Sequence, residues 1–223
     1  MHQLKISLTL ILAAFAISLA AQGFGLRAGV NFQNINGDDG LGETLDNSLL
    51  TGYHAGINFE IPIAPAFYLQ PGAVFSTKGT KNDLVILEET FDNRLRIGYL
   101  EVPVNLVFKP EIGGGKIILG FGPYYAYALN GKVKNDNGDI DIDFGKEVDE
   151  DDFTNDEDGA FYLKRHDFGA NLLVGYEFPV GIFLQLNAQL GLFDVSSDYP
   201  FIPTDETKYN NTGFGFSLGY QIH

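Results

Sequence analysis

The sequence predicts an all-β fold, an eight-stranded antiparallel up-and-down transmembrane β-barrel, and three observations carry that prediction. Large apolar residues alternate with glycine or polar residues in eight segments. The connections between those segments alternate short and long. There is no cysteine, and after the first residues no apolar run is long enough for a membrane helix. Side chains of a strand point to opposite faces in turn, so each segment has one greasy and one wet side.

The first segment, 23–33, puts Phe24, Leu26, Ala28, Val30 and Phe32 on one face, with Gly25, Arg27, Gly29, Asn31 and Gln33 on the other. In 51–61, Tyr53, Ala55, Ile57, Phe59 and Ile61 oppose His54, Asn58 and Glu60. A Pro-bounded turn at 62–66 leads into 67–82. Segment 94–108 sets Leu100, Val102, Val104, Leu106 and Phe108 against Glu101 and Asn105. A Gly-rich turn at 109–115 precedes 116–132. In 161–178 the apolar series runs from Phe168 to Phe178 opposite Gly169, Asn171 and Glu177. The turn 179–181 joins it to 182–193, where Leu184, Leu186 and Leu190 oppose Gln185, Asn187 and Gln189. The last segment, 212–222, alternates Phe214, Phe216, Leu218, Tyr220 and Ile222 with Gly215, Ser217, Gly219 and Gln221. Most segments exceed the about 9–11 residues that a tilted strand needs to cross a bilayer.

The long connections, 34–50, 83–93, 133–160 and 194–211, fall on the side opposite the tight turns. In an outer-membrane barrel the tight turns face the periplasm and the long loops face outside, with both chain ends in the periplasm. Residues 84–87 are positioned to extend one hairpin beyond the membrane. A soluble barrel with its apolar face inside has the same periodicity, but its outer face would carry charges along every strand. Here the apolar series is unbroken instead, so it is assigned to lipid.

Residues 1–21 read as a secretory signal peptide and 22–223 as the barrel domain. Lys5 precedes an apolar run from Leu8 to Ile17 broken only by Thr9, and Ser18 and Ala20 supply small residues for cleavage. Cleavage after Ala21 would leave Gln22 first. The absence of cysteine excludes disulfides and thiolate metal sites. A net charge of −15 argues against nucleic-acid binding, which needs a basic footprint.

Short motifs now come in a recognisable order: Gly25-Leu-Arg-Ala-Gly-Val-Asn, Gly52-Tyr-His-Ala-Gly, Leu69-Gln-Pro-Gly, Tyr99-Leu-Glu-Val-Pro, Gly122-Pro-Tyr-Tyr, Asp167-Phe-Gly and Gly219-Tyr-Gln-Ile. On these the chain resembles the PorT-like outer-membrane β-barrel proteins of Gram-negative bacteria, over the whole region after residue 21. The resemblance implies an eight-stranded barrel in the outer membrane and little chemistry, with a link to protein secretion for some members. The chain departs from such barrels at His223, where an aromatic residue often ends the strand; Tyr220 and Ile222 are the substitutes.

Inward-facing parity puts Arg27, Lys78, Lys132 and Arg165 in or near the lumen with Glu60, Glu101, Asp167 and Glu177. Four charges of each sign predict a hydrogen-bonded network, because unpaired charge in a narrow lumen is costly. An eight-stranded interior is only wide enough to be filled by side chains, so a structural plug is expected rather than a pore. The segment 136–158 carries twelve Asp or Glu against a single Lys, Lys146. Its spacing does not match a calcium loop, because Thr154 and Arg165 occupy the first and twelfth positions. It is read as a solvated, self-repelling loop, with a divalent-cation site on its carboxylates as the alternative.

His54 lies on an inward face, within reach of Asp167 or Glu101, but Ser48, Ser76, Ser196, Ser197 and Ser217 offer no triad by spacing. No catalytic, cofactor-binding or metal-ligating residue is therefore assigned, and no cofactor is expected. Tyr53, Tyr125, Tyr127, Tyr176 and Tyr220 read as interfacial girdle residues. Tyr199, Phe201 and Tyr209 belong to the last outer loop and are candidates for an exposed contact, with loop self-packing as the alternative. The expectation is a monomeric, non-enzymatic outer-membrane protein, structural or interacting. Its partners are membrane lipid and a protein met through the outer loops. An export accessory and a small-barrel enzyme stand as the alternatives.

Overall fold

The computed structural model describes residues 23–40, 42–86, 89–135, 138–145, 161–199 and 207–222, with side chains described for all of these except 82–92 and 135. The expected signal segment, most of the acidic run (146–158) and Phe201 lie outside the described residues.

Among the described residues eleven strands form: β1 (Gly23–Asp38), β2 (Ser48–Ala64), β3 (Phe67–Ile86), β4 (Glu89–Phe108), β5 (Glu111–Ile112), β6 (Gly115–Asn135), β7 (Gly138–Phe144), β8 (Phe161–Leu163), β9 (His166–Glu177), β10 (Ile182–Gly191) and β11 (Lys208–Ile222). Eight of them close into the barrel in the order β1-β2-β3-β4-β6-β9-β10-β11, every pairing antiparallel, with β11 returning to β1 from Phe24↔Ile222 to Asp38↔Lys208. Closure removes every sheet edge within the bilayer, which is the condition for β structure in hydrocarbon. No helix among the described residues is long and apolar enough to cross a membrane.

The two faces separate as the alternation predicts. Leu26, Val30, Val102, Phe121, Leu172, Val174, Leu186, Phe216 and Leu218 are exposed on the outer wall. Asn31, His54, Asn58, Glu60, Ser76, Lys78, Glu101, Asn105, Asp167, Asn171, Gln185, Ser217 and Gln221 are buried inside. Along β9 and one residue past its end, the outward apolar series spans ten residue steps from Phe168 to Phe178. At ~3.3 Å per residue and ~40° tilt that is ~25 Å, the height of the apolar band of an outer-membrane barrel.

Several strands outrun the bilayer. β3 and β4 have 20 residues each and β6 has 21, whereas β9 has 12 and β10 has 10. The β3–β4 hairpin pairs through Ile86↔Glu89, so the 83–93 connection is mostly strand. Above the shorter staves, β7 continues the wall by pairing with β6, from Lys132↔Asp141 to Asn135↔Gly138, and β8 lies parallel to β7. The acidic region is therefore ordered strand over 138–144, which corrects the reading of that part as a solvated loop.

One irregularity changes which residues face inward. Gly98 pairs with Asn130 but Tyr99 pairs with Ala128, leaving Leu129 as an extra residue in β6. Such a bulge shifts the alternation by one. Tyr124, Ala126 and Ala128 are buried before it; Gly131 is buried after it, with Lys132 and Lys134 exposed. Lys132 thus stands outside the lumen, its side chain 53% exposed beside Asp141. Parity counted without the bulge placed it on the wrong face.

Around and above that level a cluster of Ile35, Leu95, Ile97, Tyr99, Tyr124, Ala126, Ala128, Ile142 and Leu163 fills the interior, flanked by Leu45, Val133, Phe144, Phe161 and Tyr209. Tyr209 stacks against Phe161 with the ring centroids 6.4 Å apart, so it packs into this cap, which is the self-packing alternative for that loop.

Candidate functional site

Two ion clusters occupy the lumen. At the periplasmic end, Lys109 follows β4 directly, so its aliphatic stem enters the barrel as the chain turns. Its ammonium donates to Glu60 Oε1 at 2.8 Å and Oε2 at 3.0 Å, and also to Glu177 Oε2. Gln70 Nε2 donates to the same Glu60 Oε1 at 3.1 Å. Assigning 109–115 to a surface turn concealed Lys109; the signal was a lysine at a strand end whose neighbours carried unmatched inward glutamates.

Toward the outside, Lys78 on β3 is fully buried and lies 3.1 Å from both Asp167 Oδ2 and Glu101 Oε1. It also sits 4.1 Å over the Tyr124 ring and 5.4 Å from that of Tyr99, which adds cation–π attraction. Asp167 Oδ2 accepts a further bond from Asn211 Nδ2 at 3.0 Å, and Glu101 Oε2 accepts one from Gln189 Nε2 at 2.9 Å. Gly169 makes room for this packing: a Cβ there would stand 2.6 Å from the Tyr124 ring and 2.2 Å from the Leu190 carbonyl oxygen. Buried ions lose several kcal/mol of hydration each, and only close pairing with further hydrogen bonds offsets it.

Between the clusters lies a polar zone. His54 Nε2 and Ser217 Oγ are 2.7 Å apart, and Ser217 also accepts from Asn187 Nδ2 at 2.9 Å. Neither Asp167 nor Glu101 is hydrogen-bonded to His54; the lysine at position 78 engages both carboxylates instead. A cavity of about 30 Å³, lined by residues that include Arg27, His54, Glu101 and Asn187, is large enough for a single water. His54 and Ser217 meet across 163 residues of sequence, which is why spacing alone could not pair them. Ser217 is completely buried, so the contact offers a substrate no approach.

Of the predicted lumenal charges, Glu60, Glu101, Asp167, Glu177 and Lys78 take part in the two clusters. Arg27 is half-buried beside the small cavity. Arg165 stands at the outer end, its guanidinium carbon 4.9 Å from the Phe144 ring and 5.9 Å from the Tyr127 ring. The girdle tyrosines divide between the two interfaces: Tyr53, Tyr125 and Tyr127 in the outer half, Tyr176 and Tyr220 toward the periplasmic turns. Among the described residues no three His, Cys, Asp or Glu are grouped to hold a metal. On the acidic strand, Asp139 and Asp141 pair with Lys134 and Lys132 at 3.2 Å, all well exposed.

A closed eight-stranded barrel with an apolar exterior and an ionic interior is a protein of the bacterial outer membrane. The model of the outer membrane protein beta-barrel domain matches residues 20–197, and the chain belongs to that family. Among solved structures it is similar to the outer membrane protein OprG from Pseudomonas aeruginosa, at 13% identity over 91% of this chain and 96% of that one, with a TM-score of 0.48. It is also similar to a major outer membrane protein from Thermus thermophilus, at 14% identity, 90% and 99% coverage and a TM-score of 0.45. A third is Ail, the attachment invasion locus protein of Yersinia pestis, at 12% identity, 90% and 99% coverage and a TM-score of 0.42. No curated protein matches the sequence.

Proposed function

We propose that this protein is a non-enzymatic, non-conducting barrel whose lumen is plugged by its two ion clusters and whose work is done outside, through the acidic strands and loops it presents there. The observation that carries this reading is a lysine held between two carboxylates at each end of the lumen, Lys109 between Glu60 and Glu177 and Lys78 between Glu101 and Asp167. An ion crossing the barrel would have to displace both. The test is conductance of the purified barrel in planar bilayers: no steps above the lipid background are expected, and stable, protein-dependent steps would overturn the plug. The barrel acts as a monomer in this reading, with residues 1–21 removed as a signal peptide. Intact mass of the protein from outer membranes should then correspond to a chain starting near Gln22.

A second reading, an accessory of a protein export apparatus in the manner of some PorT-like proteins, is supported by the ordered motifs from Gly25 to Gly219. Retention of a stoichiometric protein partner on affinity purification in mild detergent would favour it. Recovery of the barrel alone after cross-linking in whole cells would count against it.

A further inference from the structure

Lys164, Arg165 and His166 are three consecutive basic residues in a chain with a net charge of −15. They lie where β9 leaves the membrane, His166 being the next outward-facing residue beyond Phe168 at the top of the apolar series. With Phe144, Gly145, Phe168 and Phe193 they line a groove of about 560 Å³ on the outer wall. Its lower edge is apolar and faces lipid, since Phe168 and Phe193 are 47% and 41% exposed and pack edge to face at 5.8 Å. Its upper edge is basic and sits at headgroup height.

The three residues are not equivalent. Lys164 is already paired, its ammonium 2.9 Å from Asp198 and 4.0 Å from Asp194. Arg165 has no carboxylate partner among the described residues, unlike the two lysines of the lumen. Its guanidinium lies against the rings of Phe144 and Tyr127 and spends one N–H on the Ala128 carbonyl at 3.4 Å. A guanidinium has five N–H donors in a planar fork that matches phosphate oxygens, and among the described residues only one of them is engaged. His166 is fixed by Tyr125, whose hydroxyl lies 2.7 Å from Nδ1, and by the Tyr127 ring at 5.5 Å. With the phenol donating, the imidazole carries its hydrogen on Nε2, on the opposite side of the ring.

We propose that this groove seats the phosphate-bearing headgroup of an outer-leaflet lipid, with Arg165 and His166 holding the phosphate and Phe168 and Phe193 packing against the first acyl carbons. A soluble anion would use the basic edge alone; the contiguous apolar edge, continuous with the lipid-facing belt, is what selects a lipid. The site needs nothing from the lumen, so it stands or falls separately from the plug.

The test uses the full barrel in neutral-detergent micelles and native mass spectrometry, with a synthetic bis-phosphorylated diglucosamine lipid and its phosphate-free counterpart as probes. Retention of the phosphorylated lipid alone is expected, with about a tenfold loss in Arg165→Gln/His166→Gln, the loss of charge-assisted bonds to phosphate. Lys132→Gln/Lys134→Gln, which removes two exposed lysines elsewhere on the outer surface, should bind as the parent does. Equal retention of the two lipids by the parent would overturn the proposal, as would undiminished binding by the double variant. Competition by millimolar inorganic phosphate would also overturn it, by identifying a soluble-anion site. Heat-modifiable gel mobility verifies that the variants are folded, and Arg165→Gln alone carries the comparison if the double variant is not.

Discussion

Well below the β6 bulge the interior is mainly polar and ionic, with one small apolar cluster of Val107, Ile118, Leu173 and Phe183, and the outer wall is apolar; around and above the bulge an apolar cluster dominates the interior and the outer wall turns mainly polar. Lys78, Glu101 and Asp167 fill the interior close to where Ile97, Ile142 and Leu163 begin to fill it instead. The solvent outside explains the inversion. Next to lipid, outward apolar residues are at no disadvantage, and the polar residues gather where they can pair with one another. Beyond the bilayer, water meets the outer wall, and the ordinary hydrophobic effect drives isoleucine and leucine inward. One continuous sheet therefore obeys two opposite burial rules, and the extra residue at Leu129 lets β6 change from one to the other.

Four substitutions probe that boundary, each read as the urea midpoint of the shift between folded and unfolded gel mobility in micelles. The largest loss is expected for Lys78→Met, which leaves Glu101 and Asp167 facing each other without a counter-charge, about 3–5 kcal/mol. Adding Glu101→Gln and Asp167→Leu to it should recover much of the loss; no recovery would mean that packing, not charge, governs the cluster. In the apolar cap, Ile97→Ala should cost about 2–5 kcal/mol through transfer and cavity terms, as in a soluble protein, and a negligible effect would sink the idea of a true core there. On the lipid face, Leu186→Arg, near the middle of β10, should cost about 2–4 kcal/mol. The smallest effect belongs to Lys132→Met above the bulge, within about 1 kcal/mol, because it removes only an exposed pair. A large loss from Lys132→Met would put that residue back in the lumen and contradict the shifted alternation.

Much of this was readable in advance. The lipid belt from Phe168 to Phe178, or from Phe214 to Ile222, needs only local alternation, and it survives intact in the structure. The carboxylates of the lumen were equally visible, because an inward glutamate shows itself by parity. Their partners were not. Lys109 sits in a turn-like stretch and is drawn inside by Glu60 and Glu177, which come from other strands. Lys132 was misplaced because a bulge leaves no mark in a sequence of alternating residues. The cap was hidden for a related reason: Ile142 and Leu163 belong to short strands in and beside a long acidic stretch, where composition argues for loop.

By itself, then, the sequence determined the eight strands of the barrel, the lipid-facing residues and the membrane that receives them, since period-two patterning acts residue by residue along each strand. Only the tertiary structure decided which cation meets which carboxylate, where the wall inverts, and that Arg165 and His166 border a lipid-facing groove. Those outcomes depend on register and on a single inserted residue, and neither is written in local periodicity.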